Sequence, residues 1–101
     1  MKNYVLIYHI GASFPETEEF NAAWMAWTEM LGANLVDGGN PFNGDFEAQV
    51  KNGEVTMKAD TAAGYTIVKA ETIEAAVAFA KECPMAKMPT TWVNVYETMS
   101  M

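Results

Sequence analysis

The sequence predicts an α+β domain of two layers, in which two helices pack on one side of a sheet. Three observations lead to this prediction: two segments carry apolar residues at helical spacing, several short segments are rich in β-branched and aromatic residues, and strands precede and follow each helix. The chain has 101 residues, of which 50% are hydrophobic and 19% are charged. Because this length and composition are typical of one folded domain, residues 1–101 are expected to share a single core.

Residues 3–10 predict the first strand, because they are almost all β-branched or aromatic. Side chains along a strand point alternately to opposite faces, which gives two sets: Tyr4, Leu6 and Tyr8, and then Val5, Ile7 and His9. Both faces are apolar. Since the helices of a two-layer domain of this length cover one face, we expect a second copy of the chain to cover the other, giving a homodimer.

A capping-box pattern, Ser-Phe-Pro-Glu at residues 13–16, predicts that the first helix begins there. The apolar residues that follow have helical spacing and predict the buried stripe of this helix: Phe20, Trp24, Trp27 and Leu31. Gly32 is expected to end the helix, because glycine adopts the backbone conformation of a helix C-terminus most easily.

The middle of the chain predicts strands and turns. A short strand starts at Leu35 and leads into a run of turn residues at 37–41. Residues 46–51 and 54–58 flank an Asn-Gly dipeptide, which is the strongest short signal for a β-hairpin.

Residues 64–70 predict another strand, and Thr72 is placed to cap a second helix. The expected buried stripe of this helix comprises Ile73, Ala76, Val77 and Ala80. The Cys-Pro pair at 83–84 ends the helix, and the alternating residues 91–98 predict the last strand. The order β-α-β, hairpin, β-α-β resembles a ferredoxin-like βαββαβ sandwich with an inserted β-hairpin.

The charge balance excludes several kinds of partner. Thirteen acidic residues against six lysines give a net charge of -7, and the chain has no arginine. Nucleic acids and acidic membranes are bound through lysine and arginine, so both are poor partners. A nucleotide is disfavoured as well because no Gly-rich phosphate loop is present, and no organic cofactor is expected. The apolar N-terminal stretch is too short for a signal-peptide core and the single cysteine suits a reducing compartment, so we expect a soluble, cytoplasmic protein.

Five segments in order resemble the YCII-related or DGPF-domain family: residues 2–8, 35–39, 64–68, 71–76 and 83–84. The resemblance implies a ferredoxin-like protomer that pairs sheet to sheet in a dimeric α+β barrel. This agrees with the second apolar face of the first strand. The resemblance also implies small-molecule chemistry, since some small members look like enzymes that use a His and Asp pair.

The chain departs from the family pattern at two places. The Asp-Gly-Pro-Phe signature expected after the hairpin is absent. The histidine that small members carry early in the first helix falls near Asn21. The implied pair is therefore not intact. Only its aspartate has a counterpart, Asp45 after the Asn-Pro turn, and that placement requires one inserted residue.

His9 is the single histidine and is the candidate general base, provided that Asp37 or Asp45 orients its ring. The structural alternative is a histidine at a strand end with one satisfied hydrogen bond. Both aspartates flank a Gly-Gly-Asn-Pro turn, where loops carry function, although turn chemistry alone also explains them. These alternatives stay open at the level of the residues.

Aromatic rings are candidates to line a pocket for a flat organic ligand, and the residues chosen are Trp24, Trp27, Phe42 and Tyr65. Stripes at helical spacing are also typical of a core. Cys83 has no activating cation nearby in sequence and is expected to be a buried structural thiol. With one histidine and one cysteine, no dedicated metal site is expected.

Three functions follow. The first is a small-molecule enzyme or binding domain without an organic cofactor, whose chemistry, as an enzyme, would be proton transfer of lyase, isomerase or hydrolytic type. The second is a non-catalytic dimeric module of regulatory or stress-associated type, and the third is a cofactor-free monooxygenase of the same barrel architecture. An enclosed cavity to which both His9 and a carboxylate are exposed would favour the enzyme.

Overall fold

The computed structural model describes residues 1–43 and 46–100. Its strands are β1 Lys2–Ile10, β2 Leu35–Asp37, β3 Phe46–Lys51, β4 Glu54–Ala59, β5 Ala62–Ala70 and β6 Thr91–Glu97. Its helices are α1 Glu18–Leu31 and α2 Ile73–Lys81, each followed by a short 3-10 turn.

Four strands form one antiparallel sheet in the order β2-β5-β1-β6, and β3 pairs with β4 in a separate two-stranded ribbon. When the ribbon is set aside, this order is the one that two split β-α-β units produce. The ferredoxin-like α+β fold with an inserted hairpin is therefore confirmed.

Strand β1 lies in the middle of this sheet, and burial alternates along it. Tyr4, Leu6 and Tyr8 are buried in the core, whereas Val5 and Ile7 between them are only partly covered. Burying a side chain such as Leu6 stabilises the fold by about 2 kcal/mol. The sheet thus has one face covered by α1 and α2 and one open face. The open face carries a mainly apolar set, Val5, Ile7, His9, Tyr65, Ile67, Trp92, Asn94 and Tyr96, with Asn3 and Lys69 at one end.

Helix α1 begins later than the sequence predicts. Thr17, and not Ser13, is the N-cap, because its hydroxyl accepts a hydrogen bond of 3.1 Å from the Phe20 N–H. Phe14 instead turns inward, with its ring 5.2 Å from that of Phe20. The capping-box prediction at 13–16 is wrong because Thr17 offers an equivalent cap that leaves Phe14 free to pack.

The remaining boundaries follow the sequence prediction closely. Gly32 ends α1 with a φ of 53°, and its N–H donates to the Thr28 carbonyl. Thr72 caps α2 by accepting from the Ala75 N–H at 3.2 Å.

The buried stripe predicted for α2 is wrong at Ile73, which is 43% exposed. It lies in the first turn of the helix, over the groove between α2 and β6.

The ribbon turns at Asn52 and Gly53, whose φ angles of 52° and 78° are those of a tight hairpin turn. The hairpin prediction is therefore confirmed. Within the described ranges, no helix is long and apolar enough to span a membrane.

Candidate functional site

A cavity of about 310 Å³ opens between the start of α1 and one end of the sheet, and we call it the Trp24 cavity. This volume is at the small end of the range for ligand pockets. Three groups of residues line it: aromatic side chains from α1 and the segment before it, hydroxyl-bearing side chains of β1 and β5, and residues 38–41. The lining is thus mainly apolar, with hydroxyl groups on the sheet side and the Glu16 carboxylate on the side of α1.

Two hydroxyl groups form the polar floor of the cavity. The Tyr8 hydroxyl donates a hydrogen bond of 2.5 Å to Thr66 Oγ1, and Thr66 in turn donates at 3.1 Å to the Gly38 carbonyl. Tyr8 and Thr66 meet because β1 and β5 are antiparallel neighbours whose core-facing residues share the same side of the sheet. The hydrogen-bonded chain ties the sheet to the loop that follows β2.

Burial decides the protonation of this floor. Burial raises the pKa of the Tyr8 phenol, so the group stays protonated near neutral pH. The Cys83 thiol lies beside the Tyr8 hydroxyl, and burial raises the pKa of this thiol to about 11. Both groups are therefore neutral hydrogen-bonding partners rather than bases.

Aromatic rings that contact one another edge to face build the opposite wall. The ring of Trp24 lies 5.2 Å from that of Tyr8 at 90°, and 6.2 Å from that of Phe20 at 86°. Phe14 extends this wall. The spacing of three to four residues in α1 places Phe20 and Trp24 on one side of the helix.

The third wall is the backbone of residues 38–41. Gly39 has a φ of 73°, and a Cβ at this position would lie 1.7 Å from the Tyr65 carbonyl oxygen, so only glycine fits. Asp37 holds the turn, because its Oδ1 accepts a hydrogen bond of 2.8 Å from the Gly39 N–H. The predicted site residue Asp37 therefore shapes the cavity wall from behind.

His9 lies on the open face of the sheet, on the other side from the Trp24 cavity. Its Nδ1 is 2.8 Å from Thr61 Oγ1 and its Nε2 is 3.2 Å from Asn94 Nδ2. Its ring stacks on that of Trp92, with the centroids 5.2 Å apart and the planes 2° apart. Neutral polar groups and an indole thus occupy its surroundings, and the structure does not bring His9 together with Asp37. Asp45 lies outside the described residues.

The four aromatic residues predicted to bind a ligand divide into three situations. Trp24 and Tyr65 both line the cavity, although the register of β5 places the Tyr65 side chain on the open face, so Tyr65 borders the cavity at the end of the sheet. Trp27 lies in the core, where its Nε1 donates at 2.9 Å to the Phe79 carbonyl. Phe42 is 47% exposed and faces Tyr65 at 6.2 Å. Trp24 and Trp27 belong to the same apolar stripe of α1 in the sequence. One lines the cavity and the other is buried in the core because of how α1 packs on the sheet.

The sequence reasoning missed the polar part of the site. The sequence pattern predicts strands for Tyr8 and Thr66 and a helix cap for Glu16, and it marks none of the three as a site residue. Among the described residues that line the cavity, Glu16 carries the single carboxylate. The strand alternation could have placed Tyr8 on the covered face, but nothing local marks its partner Thr66. In the part of the chain that the structure describes, no group of three or more His, Cys, Asp or Glu side chains could hold a metal ion.

The fold and the cavity define a class: a ferredoxin-like α+β domain with a small, mainly apolar pocket between its sheet and its first helix. The chain matches the YCII-related domain over residues 1–99, and it belongs to that family. The family resemblance seen in the sequence is therefore confirmed.

Comparison with solved structures shows a likeness over nearly the whole chain. The chain is similar to the 5-chloro-2-hydroxyhydroquinone dehydrochlorinase from Burkholderia phenoliruptrix AC1100, in its complex with 2,5-dihydroxybenzoquinone. The TM-score is 0.55 and the identity is 19%, over 95% of this chain and 93% of that chain. At this identity the likeness shows a shared fold. No curated protein sequence matches the chain.

Proposed function

We propose that this protein binds a small, flat, uncharged organic molecule in the Trp24 cavity. The observation that carries the proposal is the pairing of an aromatic wall with a floor of two neutral hydroxyl groups, Tyr8 and Thr66. Such a cavity offers ring contacts on one side and hydrogen bonds on the other, which is how pockets orient small ligands. The cavity volume of about 310 Å³ suits a ligand of about one ring.

The electrostatics favour a neutral ligand over an anionic one. The protein carries a net charge of -7 and no arginine, and the carboxylate at the cavity belongs to Glu16. An anion would enter against this field with no guanidinium to receive it. A phenol or a hydroquinone has the required shape and polarity. The compound held by the dehydrochlorinase with the same fold supports the flat, single-ring shape of such a ligand.

The test is a titration of the protein with a panel of hydroxylated benzenes and quinones, followed by calorimetry and by thermal shift. A ligand that binds the folded state raises the melting temperature by mass action. Trp24→Leu should weaken binding at least tenfold, because it removes the aromatic wall. Trp92→Leu is the matched control on the open face and should leave the affinity within about threefold. Equal losses in both variants, or no binding by any compound, would contradict the proposal.

A second candidate function is proton-transfer catalysis in the same cavity. The observation that favours it is Glu16, a carboxylate at a cavity whose floor carries two hydroxyl groups. His9, the acceptor predicted from the sequence, would act on another face of the sheet. Glu16→Gln should then abolish turnover of a bound compound while its affinity persists, and unchanged turnover would exclude Glu16 as the base.

We also propose that the chain forms a homodimer through its open sheet face, each copy contributing one domain. The support is the apolar character of this face: Val5, Ile7 and Ile67 are only partly covered, and Tyr96 is 53% exposed. Light scattering at micromolar concentration should give twice the monomer mass, and a monomer mass would contradict the dimer.

A cytoplasmic location is proposed because the single cysteine, Cys83, is unpaired, as is usual in a reducing compartment.

A further inference from the structure

The β3–β4 ribbon has two chemically different sides. Its register pairs Val50 with Val55 and Ala48 with Met57. Because cross-strand partners share a side, these four residues form an apolar side. The neighbouring pairs alternate with them and form a polar side that carries Gln49, Lys51, Glu54 and Thr56.

The apolar side is uncovered within the protomer. Val50 is 68% exposed, Val55 is 64% exposed and Met57 is 59% exposed. A two-stranded ribbon alone in water is marginally stable. The ribbon also makes the molecule more extended, since the radius of gyration of 14.7 Å exceeds the roughly 13 Å of a folded chain of this length. An amphipathic ribbon of this kind requires a surface to cover it.

The root of the ribbon is fixed to the edge of the open face. Thr61, which follows β4 closely, contacts His9 Nδ1 through its hydroxyl at 2.8 Å, and its carbonyl accepts from the Ile10 N–H at 2.8 Å. On the other strand of the ribbon, the preceding segment is held by the Phe42 N–H, which donates to the Ala63 carbonyl at 2.8 Å. The ribbon therefore continues from the surface that the proposed dimer buries.

The size of the open face is the second argument. Four strands at about 4.8 Å and about seven residues at about 3.4 Å give a flat area of about 450 Å². A standard interface buries about 800 Å² on each partner. The apolar side of the ribbon would add about 200 Å², which enlarges the contact by almost half.

We propose that the apolar side of the β3–β4 ribbon packs against a second copy of this chain, as an arm of the same interface that buries the open sheet face. This inference rests on the proposed dimer. In a two-fold dimer each copy gives one arm and receives one. The apolar side of the arm carries no charge, so the arm itself brings no like charge to a contact between two acidic copies. His9 is then a positioning residue, because it holds the root of the arm.

The first test compares two lysine substitutions on adjacent residues of β4. Val55→Lys places a charge on the apolar side, whereas Thr56→Lys places the same charge on the polar side. Sedimentation equilibrium should show a dimer dissociation constant at least tenfold higher for Val55→Lys and within about threefold of the parent for Thr56→Lys. Equal effects would overturn the arm. A parent dimer that Val55→Lys leaves unchanged would overturn the arm and leave the sheet-face dimer standing, and a monomeric parent would overturn both.

A second measurement does not depend on how the lysine variants fold. A photoreactive phenylalanine analogue placed at position 57 should form crosslinks between two chains, and the same analogue at position 56 should not. Crosslinks from position 57 to its own chain would overturn the proposal, because the ribbon would then be covered within the protomer. Ligand titration of the parent protein reports separately on the Trp24 cavity, so failure of one proposal does not imply failure of the other.

Discussion

The Tyr8 hydroxyl donates to Thr66 Oγ1 across 2.5 Å, and this contact joins two residues 58 positions apart at the floor of the cavity. Thr66 passes the hydrogen bond on to the Gly38 carbonyl. The three groups thus make one polar unit from the central strand, its neighbour and the cavity loop. A substitution that breaks these hydrogen bonds should lower both the stability of the fold and the affinity of the cavity for a ligand.

Thr66→Val should lower the free energy of unfolding by about 1 to 3 kcal/mol, because it leaves the buried Tyr8 hydroxyl without its acceptor. Chemical denaturation measures this change. The control is the double variant with Tyr8→Phe, in which neither partner keeps an unsatisfied group, and it should recover part of the loss. Strictly additive losses would show that the two hydroxyl groups are not coupled.

Gly39→Ala should displace the cavity loop, because the new Cβ would meet the Tyr65 carbonyl at a φ that alanine rarely adopts. We expect a loss of several kcal/mol of stability or a ligand affinity reduced at least tenfold. Gly38→Ala is the matched control, since a Cβ there has open space around it. If both variants bind and unfold alike, the close approach of the loop to β5 is not required.

Cys83 should make stability depend on alkaline pH. Burial raises its pKa to about 11 from 9.0, so the folded state retains the proton over this window while the unfolded state loses it. The contribution of protonated Cys83 to the free energy of unfolding is therefore fully present below about pH 9. It is lost as the pH rises through about 11, and the loss is about 2 to 3 kcal/mol. Cys83→Ala should flatten this part of the pH profile of unfolding. The native thiol should also react slowly with a thiol reagent at neutral pH, and rapid labelling would contradict its burial.

His9→Asn should leave the ligand affinity of the Trp24 cavity within about twofold, because the imidazole lies on the open face with Thr61 and Trp92. The loss of the ring stack should lower the free energy of unfolding by about 1 kcal/mol. The dimer should weaken as well, since the root of the arm loses a hydrogen bond. Should ligand binding or turnover disappear while the dimer persists, the catalytic assignment of His9 from the sequence would be supported instead.

Local patterns in the sequence determined most of the fold. Alternation in residues 3–10, helical spacing after Phe20 and the Asn-Gly turn each act within a few residues, and the structure confirms the elements that they predict. The sequence did not predict the correct start of α1, because Ser13 and Thr17 are both good N-cap residues. The choice between them depends on where Phe14 packs.

The site was decided by the tertiary structure. Trp24 and Trp27 are equivalent in spacing, yet one lines the cavity and the other donates to a carbonyl of α2 in the core, because α1 presents one of them to the end of the sheet. Tyr8 and Thr66 meet through the antiparallel pairing of β1 with β5. The same pairing places His9 on the opposite face from the cavity. Periodicity fixes which residues share a face of one element, whereas a cavity arises where elements distant in sequence meet, and that depends on strand register and helix docking.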